Sequence, residues 1–334
     1  MKNTTIVFTE PHHVALESED LNFNAEGDRV LIETEYSLVS PGTELALYTG
    51  THVGIDDPAN KFAKYPFYPG YATVGRVVDA GPDAGLAPGD RVFALARHAR
   101  YSAVSARNKY LPVVRLSDDQ ESRYAPFARL AAISMTALLR THHRAGTRVA
   151  VFGMGMIGNF AAQLYTLAGC RVVGLDVVPE RLEIARRTGV PDVIRSGPDC
   201  DLQEAVRESL AGDPEIVIEA TGVPELTNRA LELVGKLGAV VLLGSPRGNV
   251  SVDIYKHIHC KGVILTGAHE GLQGEGGLSI RREVVGSILG MIASGSVRVA
   301  PMLTHVLEAT EARSCYEMLS NETDRALGIL FQWK

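Results

Sequence analysis

Arg148-Val149-Ala150-Val151-Phe152 is an apolar, β-rich run that leads straight into Gly153-Met154-Gly155-Met156-Ile157-Gly158, and the residues after it, 159–168, have helical spacing. Strand, G-x-G-x-x-G turn, helix is the order in which this pattern has a mechanical meaning. Each glycine meets a separate demand. Gly153 permits a tight turn, Gly155 lets the backbone approach a pyrophosphate, and Gly158 lets helix and strand pack closely. The phosphates then rest on the first helical N–H groups, around Met156 and Ile157, where the helix dipole favours negative charge. A second strand, 171–175, ends at Asp176, 18 residues beyond Gly158. An acid there accepts hydrogen bonds from an adenosine ribose and repels a 2′-phosphate, which selects NAD over NADP. Arg181, on the following helix, is placed to cover the adenine or a phosphate, with a helix-surface arginine as the competing reading.

On either side of this unit the chain divides by pattern. Strand-like and helix-like runs alternate at 149–152, 159–168, 172–175, 180–188, 193–194, 202–210, 216–219, 226–237, 239–243 and 263–265. That alternation predicts an α/β fold with a doubly wound parallel sheet. Residues 1 to about 115 are instead mostly β, with short runs at 5–8, 29–35, 72–78 and 91–95 between Gly, Pro and Asp turns. A helical pattern covers 124–144. The last segment adds helices at 282–294 and 308–319 and strands near 304–306 and 326–331. Its mixed character predicts that it completes the N-terminal domain. The expected organisation is one domain from 1–130 and 270–334, and a dinucleotide-binding domain from 131–269.

The 334 residues are 46% hydrophobic and 22% charged, with a net charge of −6 and no basic stripe. Nucleic-acid and anionic-membrane binding are therefore not expected. No apolar run approaches the ~18 residues of a membrane helix, and the N-terminus lacks a signal-peptide core, so the cytoplasm is the expected compartment. The four cysteines, Cys170, Cys200, Cys260 and Cys315, form no Cys-x-x-Cys pair. His257 and His259, beside Cys260, fall in an alternating, strand-like stretch that would put both rings on one face. Too few further ligands accompany them for a metal site, and no metal is expected.

Several motifs in one order then carry a family resemblance: Ser40-Pro41-Gly42-Thr43-Glu44, Tyr68-Pro69-Gly70-Tyr71-Ala72-Thr73-Val74-Gly75, Pro88-Gly89-Asp90-Arg91-Val92, the glycine turn, and Glu219-Ala220-Thr221-Gly222. Together they resemble the medium-chain dehydrogenase/reductase superfamily, especially its threonine/sorbitol dehydrogenase-like branch. The resemblance spans nearly the whole chain. It implies a GroES-like, β-rich catalytic domain split around a Rossmann domain, with a hydride moved between NAD and an alcohol carbon at the cleft. The departures are equally specific. Pro41 stands where zinc-dependent members carry a Cys, Gly70-Tyr71-Ala72 replaces Gly-His-Glu, and no Cys precedes Cys170, so the structural-zinc lobe is missing too. A catalytic zinc needs three protein donors. The chain is therefore read as a zinc-free member.

Without the metal, side chains must manage the alcohol proton. Thr43 holds the family's substrate-touching hydroxyl position. Tyr71 replaces the metal-binding His and is a candidate donor or base, or else fills the vacated space. Glu44 is a candidate for orienting the relay or binding a polyol hydroxyl. His269, after the strand that passes the nicotinamide in the family, is a further candidate. By the same analogy Thr221 and Gly222 border the adenine side, while Leu243, Gly244 and Ser245, which close a strand at its carboxyl end where ligands of open α/β sheets sit, are expected with Leu265 to line the cofactor. The expected activity is an NAD-dependent alcohol dehydrogenase/ketone reductase on a secondary alcohol such as a sugar, cyclitol or polyol. Rival readings are a bacteriochlorophyllide hydroxyethyl dehydrogenase-like enzyme, which shares the Ser-Pro-Gly-Thr-Glu segment, an enoyl or quinone reductase, and a non-catalytic nucleotide-binding protein. The small-molecule substrate is the main partner expected, with a homodimer or homotetramer formed through the edge strand at 263–265.

Overall fold

In the computed structural model, which describes residues 1–108, 110, 112–197, 200–322 and 326–333, the chain forms two units. The first contains Met1–Arg129, Ile280–Ser294 and Leu303–Lys334, and the second contains Leu130–Ser279 and Gly295–Met302. The chain opens with strands β1 (Lys2–Glu10), β2 (His13–Asp20) and β3 (Arg29–Leu38), followed by helix α1 (Pro41–Tyr48). Strands β4 (Thr73–Ala80), β5 (Arg91–Ala94), β6 (Tyr101–Ser105) and β7 (Val113–Arg115) complete this stretch. After α2 (Ala128–Leu139) come β8 (Arg148–Phe152), α3 (Met156–Leu167), β9 (Arg171–Asp176), α4 (Pro179–Arg187) and β10 (Asp192–Arg195). They are followed by α5 (Leu202–Leu210), β11 (Ile216–Glu219), α6 (Leu226–Leu233), β12 (Ala239–Leu242) and β13 (Ile264–Gly267). The chain closes with α7 (Arg281–Ala293), β14 (Leu303–Glu308), α8 (Ala312–Asn321) and β15 (Gly328–Gln332).

In the second unit, six parallel strands run in the order β10-β9-β8-β11-β12-β13. β11 is buried at every residue and β8 at all but its first, as expected of strands covered on both faces. Successive side chains point to opposite faces. Val149 and Val151 join one core with Tyr165 and Ile218, while Ala150 and Phe152 join another with Val217 and Leu231. The strand order reverses between β8 and β11, so the crevice at their carboxyl ends is where a ligand of an open α/β sheet binds.

In the first unit, a seven-stranded sheet runs β14-β15-β3-β4-β5-β7, with β6 also paired to β3, beside the antiparallel β1-β2 ribbon. Its core gathers Ile6, Phe8, Leu47, Tyr316, Phe331 and Trp333 from both ends of the chain. The Pro41-Gly42 dipeptide does not stop the chain there. Proline is favoured in the first helical turn, where its missing N–H costs nothing, and α1 starts on it.

Residues 257–259 are not a strand. Asp253 accepts a hydrogen bond from the Lys256 N–H at 2.9 Å. The helical turn that follows closes with the Cys260 N–H donating to the Tyr255 carbonyl at 2.9 Å. His257 is buried while His259 stacks on Tyr255, with ring centroids 5.5 Å apart. An N-capping aspartate overrides the alternating pattern here. Among the described residues, no helix is long and apolar enough to cross a membrane.

Candidate active site

At the carboxyl ends of the parallel strands the three glycines of the turn are distinguished by their surroundings. Gly153 has φ of +88°, a conformation that only glycine adopts freely. A Cβ on Gly158 would lie 1.8 Å from the Gly153 carbonyl oxygen, so α3 can start only on a residue without a side chain. Gly155 has nothing within 4 Å of the place its Cβ would take. That open space faces the start of α3, whose N-cap is Gly155 and whose first N–H groups have no side-chain cap. Uncapped N–H groups at a helix start, reached past a glycine, suit a pyrophosphate. Met156 and Ile157 form this first turn, and the Ile157 carbonyl accepts from the Ser134 hydroxyl at 2.8 Å.

Asp176 ends β9 and is 6% exposed. Its carboxylate accepts the Met154 N–H at 2.7 Å and the Val178 N–H at 2.9 Å, one on each oxygen. A carboxylate oxygen has two lone pairs, so each keeps one for a ribose diol. The Arg181 guanidinium lies 3.9 Å from the same carboxylate.

Glu219, which closes the apolar run Ile216-Val217-Ile218, is fully buried. Its carboxylate accepts the Thr221 N–H at 2.7 Å, the Thr221 hydroxyl, and the Gly222 N–H at 3.1 Å. Burial pushes its pKa up, and these hydrogen bonds act against the rise. The Glu219 carbonyl in turn accepts the Leu243 and Gly244 N–H groups at 2.8 Å each. A Cβ on Gly222 (φ +77°) would sit 2.3 Å from the Gly244 carbonyl oxygen. Thr221, Gly222, Leu243, Gly244 and Ser245 therefore form one tight double loop at the strand ends. Glu219 was quoted in the sequence only as part of a motif. The signal of its role is an acid closing an otherwise wholly apolar strand. Leu265 lies on the edge strand β13 and is 39% exposed. His269 is exposed, and its Nδ1 accepts the Gly271 N–H at 3.0 Å, which turns the ring onto its own backbone turn.

The first unit holds a second polar cluster. Glu44, on α1, is 1% exposed. Its carboxylate accepts the Ser40 N–H at 3.1 Å, the Tyr316 hydroxyl at 2.7 Å, and a hydrogen bond from His98 Nε2 at 3.2 Å. Its side-chain partners are thus a histidine and a tyrosine, and the carboxylate is an internal anchor rather than an exposed polyol contact. His98 Nδ1 lies 2.7 Å from the Ser37 Oγ, which also accepts the Trp333 indole N–H at 2.9 Å. An indole nitrogen only donates. The set is satisfied when Ser37 donates to His98 Nδ1 and a neutral His98 donates from Nε2 to Glu44. Burial, and the Glu44 charge beside it, push the Tyr316 phenol well above its ordinary pKa, so it stays protonated and donates. Gly70 (φ +98°) lets the next segment lie on this core, since a Cβ there would sit 2.4 Å from the His98 backbone nitrogen.

Tyr71 follows Gly70. Its hydroxyl is hydrogen-bonded to the Ser40 hydroxyl, and the Arg129 guanidinium lies 4.9 Å from its ring centroid. Thr43 is half-buried on α1, and the hydroxyl found on Tyr71 is that of Ser40. The sequence reading passed over Ser40, His98 and Arg129. Ser40 sits immediately before the Pro-Gly-Thr-Glu run, but His98 and Arg129 carry no local signal.

Comparison with known proteins matches residues 157–277 to the family model of the zinc-binding dehydrogenases. A 2-desacetyl-2-hydroxyethyl bacteriochlorophyllide A dehydrogenase from Cereibacter sphaeroides is 26% identical, over 100% of this chain and 99% of its own. An L-threonine 3-dehydrogenase from Burkholderia ambifaria is 27% identical over 85% of this chain and 88% of its own. Among solved structures, an Escherichia coli oxidoreductase/dehydrogenase of unknown specificity superposes with a TM-score of 0.85 at 19% identity, covering 100% of both chains. Residues 157–277 thus match a zinc-binding dehydrogenase domain, and along its length the chain is similar to dehydrogenases of the medium-chain dehydrogenase/reductase superfamily.

Members of this superfamily with zinc place it where Tyr71 stands here, so the fit of a metal can be tested on the residues present. Among the described residues, the Tyr71 hydroxyl is accompanied by the Ser40 hydroxyl and the buried Arg129 guanidinium. Neutral hydroxyls are not zinc's N/S/carboxylate donors, and a fixed cation opposes a second one. Among the described residues, no group of three or more His, Cys, Asp or Glu is placed to hold a metal ion. This donor set does not fit zinc.

Proposed function

We propose that the protein is an NAD-dependent, zinc-independent alcohol dehydrogenase/ketone reductase acting on secondary alcohols. The observation that carries this reading is the pairing of the open space at Gly155 with the buried Asp176 at the end of β9. When bound, NAD supplies the hydride acceptor. Gly153, Gly155, Met156, Ile157 and Gly158 hold its pyrophosphate, Asp176 its ribose, and Arg181, Thr221 and Gly222 border the adenine side. Leu243, Gly244, Ser245 and Leu265 line the remainder. The alcohol proton passes to the Tyr71–Ser40 pair, with Glu44 fixing the Ser40 backbone, and with Thr43 and His269 as substrate contacts.

The names of the two curated relatives favour a narrower substrate class. A 1-hydroxyethyl substituent and the C3 position of threonine are both methyl carbinols, CH3–CH(OH)–R. We take this class ahead of the sugars, cyclitols and polyols that the family branch alone suggests. Because β13 ends the sheet with an exposed edge, the protein is also proposed to pair with a second copy through it.

The test is initial-rate kinetics with NAD and NADP on a panel of methyl carbinols and polyols. The expected result is turnover of methyl carbinols with kcat/KM for NAD at least tenfold above NADP, equivalent to about 1.4 kcal/mol. Equal use of NADP would overturn the cofactor assignment. Stoichiometric NADH binding without turnover of any alcohol or ketone would favour a non-catalytic nucleotide-binding protein.

A further inference from the structure

Tyr71 and Arg129 form a pair that the family resemblance does not assign. The guanidinium lies over the phenol ring at 4.9 Å from its centroid, and Arg129 is 3% exposed. A cation within about 6 Å of a ring face is attracted to the π system even when the phenol is neutral. Ionisation of the phenol spreads negative charge into that same ring, so the attraction is greater for phenolate than for phenol. An opposite charge close to the ring favours the ionised form, and solvent screening is reduced on the side of the buried Arg129, Tyr71 itself being half-buried. Ser40 adds to the effect, because its hydroxyl, already on the Tyr71 oxygen, can donate to a phenolate.

We infer that Arg129 is an electrostatic positioning residue that stabilises Tyr71 as a phenolate, taking the charge-stabilising role that a metal ion fills in zinc-containing members of the fold. The inference rests on the reading of Tyr71 as the proton-transfer group. In alcohol oxidation the phenolate oxygen takes the hydroxyl proton as the C–H bond breaks and its electron pair leaves as hydride to NAD. In ketone reduction the same proton returns to the forming alkoxide. Among the described residues, Glu44 and Arg97 are further charged groups near this pair. Glu44 opposes the effect, but its charge is shared among the Ser40 N–H, His98 and Tyr316. Arg97 is stacked on Tyr68, at 4.8 Å from that ring's centroid.

The test is ultraviolet titration of tyrosinate absorbance in the substrate-free protein. Comparing wild type with Tyr71→Phe isolates the Tyr71 signal from those of the other tyrosines. The expected result is a Tyr71 midpoint below the ordinary phenol range. That midpoint should move up by about 1–3 pH units in Arg129→Gln and be largely restored in Arg129→Lys, which keeps the charge. A purely structural arginine would alter melting temperature without moving the midpoint. A wild-type midpoint at or above the ordinary range, or one unmoved in Arg129→Gln, would overturn the inference. The wild-type measurement decides the first point even if the Gln variant does not fold. Turnover is read separately. If Tyr71→Phe oxidises secondary alcohols at the wild-type rate, the proton-transfer role is lost, while a shifted midpoint still establishes the ion–phenolate pair.

Discussion

A methyl group added at Gly155 meets nothing within 4 Å, whereas at Gly158 it lands 1.8 Å from the Gly153 carbonyl oxygen. The same substitution should therefore separate ligand binding from folding. Gly155→Ala is expected to fold with a melting temperature near that of wild type, and to weaken NADH binding tenfold or more, about 1.4 kcal/mol. Gly158→Ala is expected to overpack the turn at a cost of about 1–3 kcal/mol, seen as a melting temperature lower by several degrees. Thermal melts with and without NADH check both, and an unchanged NADH affinity in Gly155→Ala would contradict the cradle. Glu219 gives a pH dependence. Burial holds its folded pKa above the usual 4.5. Between those values the folded state binds more protons than the unfolded one, so Glu219 lowers stability as pH rises through that window. Glutamine keeps an acceptor for Thr221 and carries no charge. The melting temperature of Glu219→Gln relative to wild type should therefore rise between about pH 4 and about pH 8. A difference that stays flat across that range would mean that the carboxylate is not destabilised by burial.

The parallel strands and the α5 helix were legible because their signals are local: continuous apolar runs for strands buried on both faces, and helical spacing for α5. The β2 ribbon strand was not, since His13-Val14-Ala15-Leu16-Glu17-Ser18-Glu19-Asp20 is largely exposed and polar. Nor were β6 and β7, which are short strands fixed by sheet partners distant in sequence. Helix α1 was concealed by its Pro-Gly start. The 257–259 turn was misread because alternation alone cannot register a capping aspartate. The edge strand β13 carries its own expectation. Within it, the Ile264 N–H donates to the Gly238 carbonyl at 3.0 Å, so the parallel pattern turns the Leu265 N–H away from β12. Ile264 and Leu265 are 61% and 39% exposed. An unpaired apolar edge is a template for strand addition. Sedimentation equilibrium should find wild type as a dimer or larger, and Leu265→Pro, which removes the outward N–H, shifted to monomer. A monomeric wild type would contradict pairing through β13.

Each of the two units builds its part of the chemistry from a different kind of sequence information. In the second, the glycines and Asp176 lie on one β–α–β segment, so spacing alone points to the proposed cofactor cradle. In the first, Glu44 meets His98 54 residues away and Tyr316 272 residues away. No window of sequence contains that cluster, nor the Tyr71–Arg129 pair. What the sequence showed there was the family position and the missing ligands, and only the fold supplied the replacement partners. The two halves meet in one question, whether organic side chains manage the alcohol proton without a metal ion. Stopped-flow measurement of NADH oxidation by a methyl ketone, on protein dialysed against a strong zinc chelator and confirmed metal-free, answers it most directly. The expected hydride-transfer rate equals that of untreated protein and is unaffected by added zinc. Loss of the rate on chelation, with recovery at one zinc per chain, would contradict it.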